Sequence, residues 1–247
     1  MSQHDTAKPR DGRGPDASLD MQAIACFHPA MPRPASPRTQ RGRESRERVL
    51  DAAIELFATH GFAAVTMRAL GEAAGLDNSS LYRHFASKTD LANAVLDRLT
   101  VELLEVLAPN LAPTAPPSLG ALVDAATAAG RYLFDRPAVA RLLMHWMMSA
   151  GEADASFSVS VRATDTRRPA GRLVTLVNDW LARGMRSGAL RRHESPEALV
   201  LLMGAVLLRP ATYGHLLASQ EPKRSRGKAR EAWERELRAA VRGAFAP

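Results

Sequence analysis

The sequence predicts an all-α protein in which a three-helix helix-turn-helix domain is followed by a longer helical domain. Three observations carry this. Alanine, leucine and arginine dominate the 247 residues while aromatics make up only 5%, a composition that favours helix over sheet. Apolar residues recur every three to four positions in one segment after another. The stretch from Gly71 to Leu91, GEAAGLDNSSLYRHFASKTDL, sets a glycine turn between two short helical patterns. That is the layout in which a second helix is presented to the major groove of DNA.

Residues 1–44 read as a disordered arm, rich in Pro, Asp, Gly, Ser and Arg and without apolar periodicity. Between Arg33 and Arg48 stand six arginines against Glu44 and Glu47. Such an arm can lie along phosphates, chiefly through Arg41, Arg43, Arg46 and Arg48, or be plainly disordered. The head, residues 45–91, opens with a helix over Ser45–His60, whose Val49, Ala52, Ala53, Leu56 and Phe57 form one stripe. Gly61 ends it, where a positive φ costs glycine nothing. Thr66 caps a second helix over Met67–Ala74, and Gly75 ends that one. Asp77 caps a third over Asn78–Phe85, held off the body by Leu76, Leu81 and Phe85. Ser87 and Asp90 form a capping box for a fourth helix that runs to about Leu107.

Pro109, Pro113, Pro116 and Pro117 mark the next boundary within residues 92–247. Helices follow at Leu119–Phe134, Ala138–Ser149, Arg167–Gly184, Pro196–Ala218 and Lys228–Phe245. Pro210 should kink or split the fourth of these. Trp233, Leu237, Val241 and Phe245 form the buried side of the last.

Charge alone does not locate a nucleic-acid site. The formal charge is +7, yet residues 46–92 hold five Lys or Arg against six Asp or Glu. A single cysteine, Cys26, excludes a framework of intrachain disulfides and points to a reducing compartment. No apolar run reaches the roughly 18 residues of a membrane span, and no signal pattern opens the chain. A cytoplasmic protein with no membrane partner is expected. Phosphate-cradling glycine loops, HExxH and CxxC motifs are absent from the sequence, so neither an enzyme, a metal site nor a cofactor is expected.

The segment VLDAAIELFATHGFAAVTMR followed by ALGEAAGLDNSSLYRHFASKTDL resembles the DNA-binding domain of the TetR family of bacterial transcriptional regulators. It covers about a fifth of the chain. The resemblance implies a homodimer that reads a palindromic double-stranded operator with one third helix per subunit. It also implies a regulatory and dimerisation role for residues 92–247, and usually repression relieved by a small-molecule effector.

Carried onto this sequence, the exposed face of the third helix is Asn78, Ser79, Ser80 and Arg83. Asn78 suits adenine, Arg83 suits guanine or phosphate, and the serines suit base edges or phosphates. Relatives often have a basic residue and a glycine where this chain has Asn78 and Ser79. Tyr82, His84 and Lys88 match phosphate contacts, and Arg46, Thr66 and Arg68 are further candidates. Each has a second reading: Tyr82 as packing, His84 as a bystander, Lys88 as a solvated charge near a cap.

The resemblance implies an effector pocket in the body, for which Leu99, Leu103, Leu107, Phe134, Leu143, Trp146, Met147, Phe157 and Trp180 are the candidates. Aromatics and methionines there suit a plastic apolar pocket for a mostly apolar ligand. Ordinary core is the alternative for each residue. The resemblance places the dimer interface on the last two long helices, at Leu199, Leu202, Met203, Val206, Trp233 and Leu237, with intrachain core again the alternative. The function so expected is that of a DNA-binding regulator, and the competing reading is a helical interaction module without specific DNA binding.

Overall fold

The computed structural model describes residues 37–112, 114–148, 167–194, 198–199, 201–207 and 225–247, which contain helices and no strand. Its helices are α1 (Pro37–Ala64), α2 (Met67–Ala74), α3 (Asn78–His84), α4 (Lys88–Leu107), α5 (Leu119–Phe134), α6 (Pro137–Met148), α7 (Pro169–Arg186) and α8 (Ser225–Phe245). Residues 201–207 are also helical, between α7 and α8. Phe157, Pro210 and the side chain of Met147 lie outside the described residues.

From Gly42 onward the chain packs as one compact unit. α1 begins at Pro37, so residues 37–44, assigned to the arm by composition, are helical. Gly61 has φ 76° and ψ 163°, a conformation open in practice to glycine alone. The helix therefore bends at Gly61 and continues for one further turn instead of stopping. Val49, Leu50, Ala53 and Phe57 of α1 are buried with Leu70 of α2, Leu81 of α3 and Phe85, closing the core of the head.

Caps punctuate the head where short polar side chains offer them. The Thr66 hydroxyl accepts the Ala69 N–H at 3.2 Å, and the Ser87 hydroxyl accepts the Asp90 N–H at 3.0 Å. Gly75 takes the left-handed conformation, its N–H bonding Glu72 O, while Leu76 N–H bonds Gly71 O at 2.9 Å. A Cβ on Gly71 would stand 3.0 Å from Leu76 O, so glycine lets the turn fold back onto α2.

In the body α5 packs against α4, α6 and α8, and α4 against α7. The tightest approach is at Gly130 of α5, where a Cβ would come within 2.3 Å of Trp233 Cη2. Trp233 also stacks on Phe134 at 5.3 Å. Arg131 grips Glu234 through two bonds of 2.8 and 2.6 Å, and Arg230 reaches Asp135 at 2.7 Å, so α8 is clamped on both sides of the indole. Gly130→Ala should lower the unfolding free energy by about 1–3 kcal/mol in urea titration. Gly243→Ala, on the open face of the same α8, should leave it within about 0.5 kcal/mol.

Candidate nucleic-acid interface and body cavity

α3 is short, seven residues, and its stability comes from its cap. The Asp77 carboxylate accepts the Ser80 N–H at 2.7 Å and the hydroxyls of Ser79 and Ser80 at 2.7 and 3.0 Å. The Ser80 oxygen in turn accepts Arg83 Nη2 at 2.7 Å. These bonds, first the Ser79 hydroxyl and then the Ser80 amide and hydroxyl, lower the Asp77 carboxyl from 3.8 to about 2. Leu81 is fully buried and Phe85 nearly so, and between them they seat the helix. Asn78, Ser79, Tyr82 and Arg83 face solvent, with Tyr82 53% exposed.

The other head residues divide by what holds them. Thr66 is exposed but its hydroxyl caps α2. Arg68 is exposed and bonded to Glu72 at 2.8 Å, an i,i+4 pair that solvent screens. Arg46 lies over the Phe85 ring at 4.9 Å and close to Glu47. His84 is half-buried, its ring 6.4 Å from that of Phe85. Ser80, His84 and Lys88 are half-buried where the sequence reading treats them as outward-facing.

Lys88 departs furthest from its expected role. Its ammonium donates to Phe62 O at 2.9 Å, Ala63 O at 3.3 Å and Val65 O at 2.9 Å, and sits 4.5 Å from the Phe62 ring. An ammonium has three protons, and all three are engaged on carbonyls left open by the bend at Gly61. A phosphate contact from this side chain would have to displace one of them. The backbone amides at the start of α4 remain the anion-facing feature there.

Among the described residues, the body holds a partly open apolar cavity of about 160 Å³. Leu103 and Leu107 of α4, Leu143 of α6 and the alanines 125, 126 and 129 of α5 line it. Leu99, Phe134, Trp146 and Trp180, expected at the pocket, are absent from its described lining. Trp146 and Trp180 are 1% exposed and fill core, as does Leu99, while Phe134 is occupied by Trp233. Large rings fill space, and the opening lies where side chains are small or aliphatic.

The expected dimer residues are also redirected. Leu199, Leu202, Met203 and Val206 line the cavity, and Trp233 and Leu237 are buried against Gly130. An amphipathic stripe records that one face is covered, without recording by what. Leu201, 47% exposed, faces the other way.

Sequence reading missed a chain of polar contacts on the outer side of α4 and α5. Arg98 pairs with Glu47 and Asp51 of α1 at 3.1 and 2.8 Å and with Glu102 at 3.0 Å. Glu102 accepts the Tyr132 hydroxyl at 2.7 Å and pairs with Arg136. Burial would raise the Glu102 carboxyl, but the bonds from Tyr132 and Arg98 and the Arg136 charge outweigh it and hold it below its ordinary range. Burial, and then the bond to Glu102, pushes the Tyr132 hydroxyl up to about 12. The Arg98 to Glu102 spacing of four was the available signal.

With this geometry in place, comparison with known proteins is decisive for the head. Residues 49–95 match the family of bacterial regulatory proteins called tetR. Over these residues the chain is similar to the DNA-binding domain of the TetR family. The HTH-type transcriptional repressor KstR of Mycolicibacterium smegmatis is 43% identical over 56 residues, 23% of this chain and 28% of that protein. The chain spans less than half the length of the curated relatives it matches. A TetR family transcription regulator from Marinobacter aquaeolei shares the fold with a TM-score of 0.59 at 18% identity, over 82% of this chain and 97% of that one. The SmeT–triclosan complex does so with a TM-score of 0.57 at 18% identity, over 82% and 92%.

Two outcomes test the head. The folded carboxyl of Asp77 lies below its ordinary value, so the support it gives α3 is complete above about pH 4 and is lost as pH falls through about 2. The Ser80 amide NMR signal should titrate with a midpoint near 2, and this titration should vanish in Asp77→Asn. Lys88→Met should lower stability by about 1–3 kcal/mol, with faster amide exchange concentrated around residues 62–70.

Proposed function

We propose that the protein is a DNA-binding transcriptional repressor that acts as a homodimer on a palindromic operator and is released by a small, mostly apolar effector. One observation carries this reading. On a head matched by the family, α3 presents Asn78, Ser79, Tyr82 and Arg83 to solvent while Leu81 and Phe85 anchor it. In this reading residues 45–91 read DNA and residues 92–247 regulate and dimerise.

The roles follow from side-chain chemistry. Asn78 and Arg83 suit base edges in the major groove, with Ser79 and Ser80 beside them. Tyr82, Arg68, Arg46, Thr66 and His84 carry donors that suit phosphates and would fix register. The body's aliphatic cavity supports an apolar effector, and the fold it shares with SmeT is one that accommodates triclosan. An effector releases DNA only if it binds the DNA-incompetent state more tightly. Repression is the mode named for KstR, which matches the head.

The test is selection of bound duplexes from a random pool at near-physiological salt, with the mass of the complex measured in solution. A two-fold consensus with half-site centres about 34–36 Å apart, or a multiple, and a dimer of the chain are expected. No preference over competitor DNA would leave only a helical interaction module. Arg83→Ala should relax preference at one base step by about 1–3 kcal/mol if it reads a base. A uniform loss across all sequences would assign Arg83 to phosphate instead.

A further inference from the structure

We infer that the body cavity takes a compact, uncharged hydrocarbon, branched or alicyclic and of roughly six to ten carbons, and excludes the corresponding carboxylate. The inference rests on the effector site proposed above and specifies the ligand's chemical class.

The described lining is built from Leu, Val, Ala and Met side chains, with Thr100 as its polar member. The Thr100 hydroxyl already donates to Leu96 O of its own helix at 2.7 Å, so its proton is turned away from any guest. Charged groups lie close by in sequence but on the other side of the same helices. Arg98 and Glu102 of α4 pair with Glu47, Asp51, Tyr132 and Arg136, so these charges are already engaged, and the described lining offers a carboxylate no charged partner. A desolvated carboxylate without such a partner is disfavoured more than an alcohol, and an alcohol more than an alkane.

Size points the same way. At about 160 Å³ the space is close to that of an apolar protein cavity of about 150 Å³ that stays dry and admits benzene or xenon. Leu103, Leu143 and Met203 line it with flexible side chains that can adjust to a guest's shape, Met203 the most freely.

Three probes with one ring isolate the head group: cyclohexane, cyclohexanol and cyclohexanecarboxylate. Each is titrated into the full-length protein at neutral pH, followed by methyl NMR of Leu, Val and Met and by the thermal unfolding midpoint. Cyclohexane should shift the Leu103 and Met203 methyls and raise the midpoint. Cyclohexanol should bind more weakly, and the carboxylate at least about 100-fold more weakly than cyclohexane. Carboxylate binding as tight as that of cyclohexane overturns the inference, as does cyclohexane that leaves those methyls unmoved. Ala126→Leu, which fills the space, should abolish the cyclohexane response. Should that variant not fold, crystals of the unaltered protein under xenon pressure give the location directly: density among Leu103, Val177 and Met203 is expected, and its absence overturns the proposal. Operator selection is a separate readout. A protein that binds cyclohexane but selects no DNA sequence loses the repressor reading and keeps this one, and the converse result sinks this one alone.

Discussion

The Lys88 ammonium, placed on three carbonyls of the turn after Gly61, is the contact on which the geometry of the head depends. A bend that only glycine can make leaves backbone oxygens without helical partners, and a single cation at the first turn of α4 collects them. The segment that links α1 to α2 is thereby fastened to the start of α4. Leu81 and Phe85 join the buried residues of α1 in one apolar core, which seats α3.

α4 consequently serves two sets of neighbours. Its first turn holds the head, its apolar side contributes Thr100, Leu103 and Leu107 to the cavity, and its polar side carries Arg98 and Glu102. Arg98 touches α1, while Glu102 touches α5 through Tyr132. These pairs link α4 to α1 and to α5, although Glu47 and Asp51 of α1 are exposed and solvent screens their share. His145 at the far end of α6 adds a second contact with the head, its ring 3.7 Å from where a Cβ on Gly61 would stand.

How much of this the sequence disclosed depends on the range of the physics involved. Thr66, Asp77 and Ser87 announced their helix starts because a cap is settled by two residues three positions apart. The all-α class and the order of helices followed from periodicity for the same local reason. The carbonyl contacts of Lys88 are not legible in the sequence, because nothing near it reveals partners 23 to 26 residues away. Of the residues expected at the cavity, Leu103, Leu107 and Leu143 line it, whereas Trp146 and Trp180 fill their space and alanines 125, 126 and 129 leave theirs open, which periodicity does not reveal. Trp233 and Leu237 look equally suited to a partner chain or to Gly130, and only the approach of α8 to α5 decides between them.

The alanines facing the cavity have an energetic meaning of their own. An unfilled apolar space of about 160 Å³ forgoes about 4 kcal/mol relative to a filled core. Small domains hold only about 5–15 kcal/mol in all. Larger side chains on α5 would recover part of that difference through single substitutions, and a chain shaped by folding alone would drift toward them. Among the described residues, the core of the body therefore keeps apolar volume at a cost in folding stability.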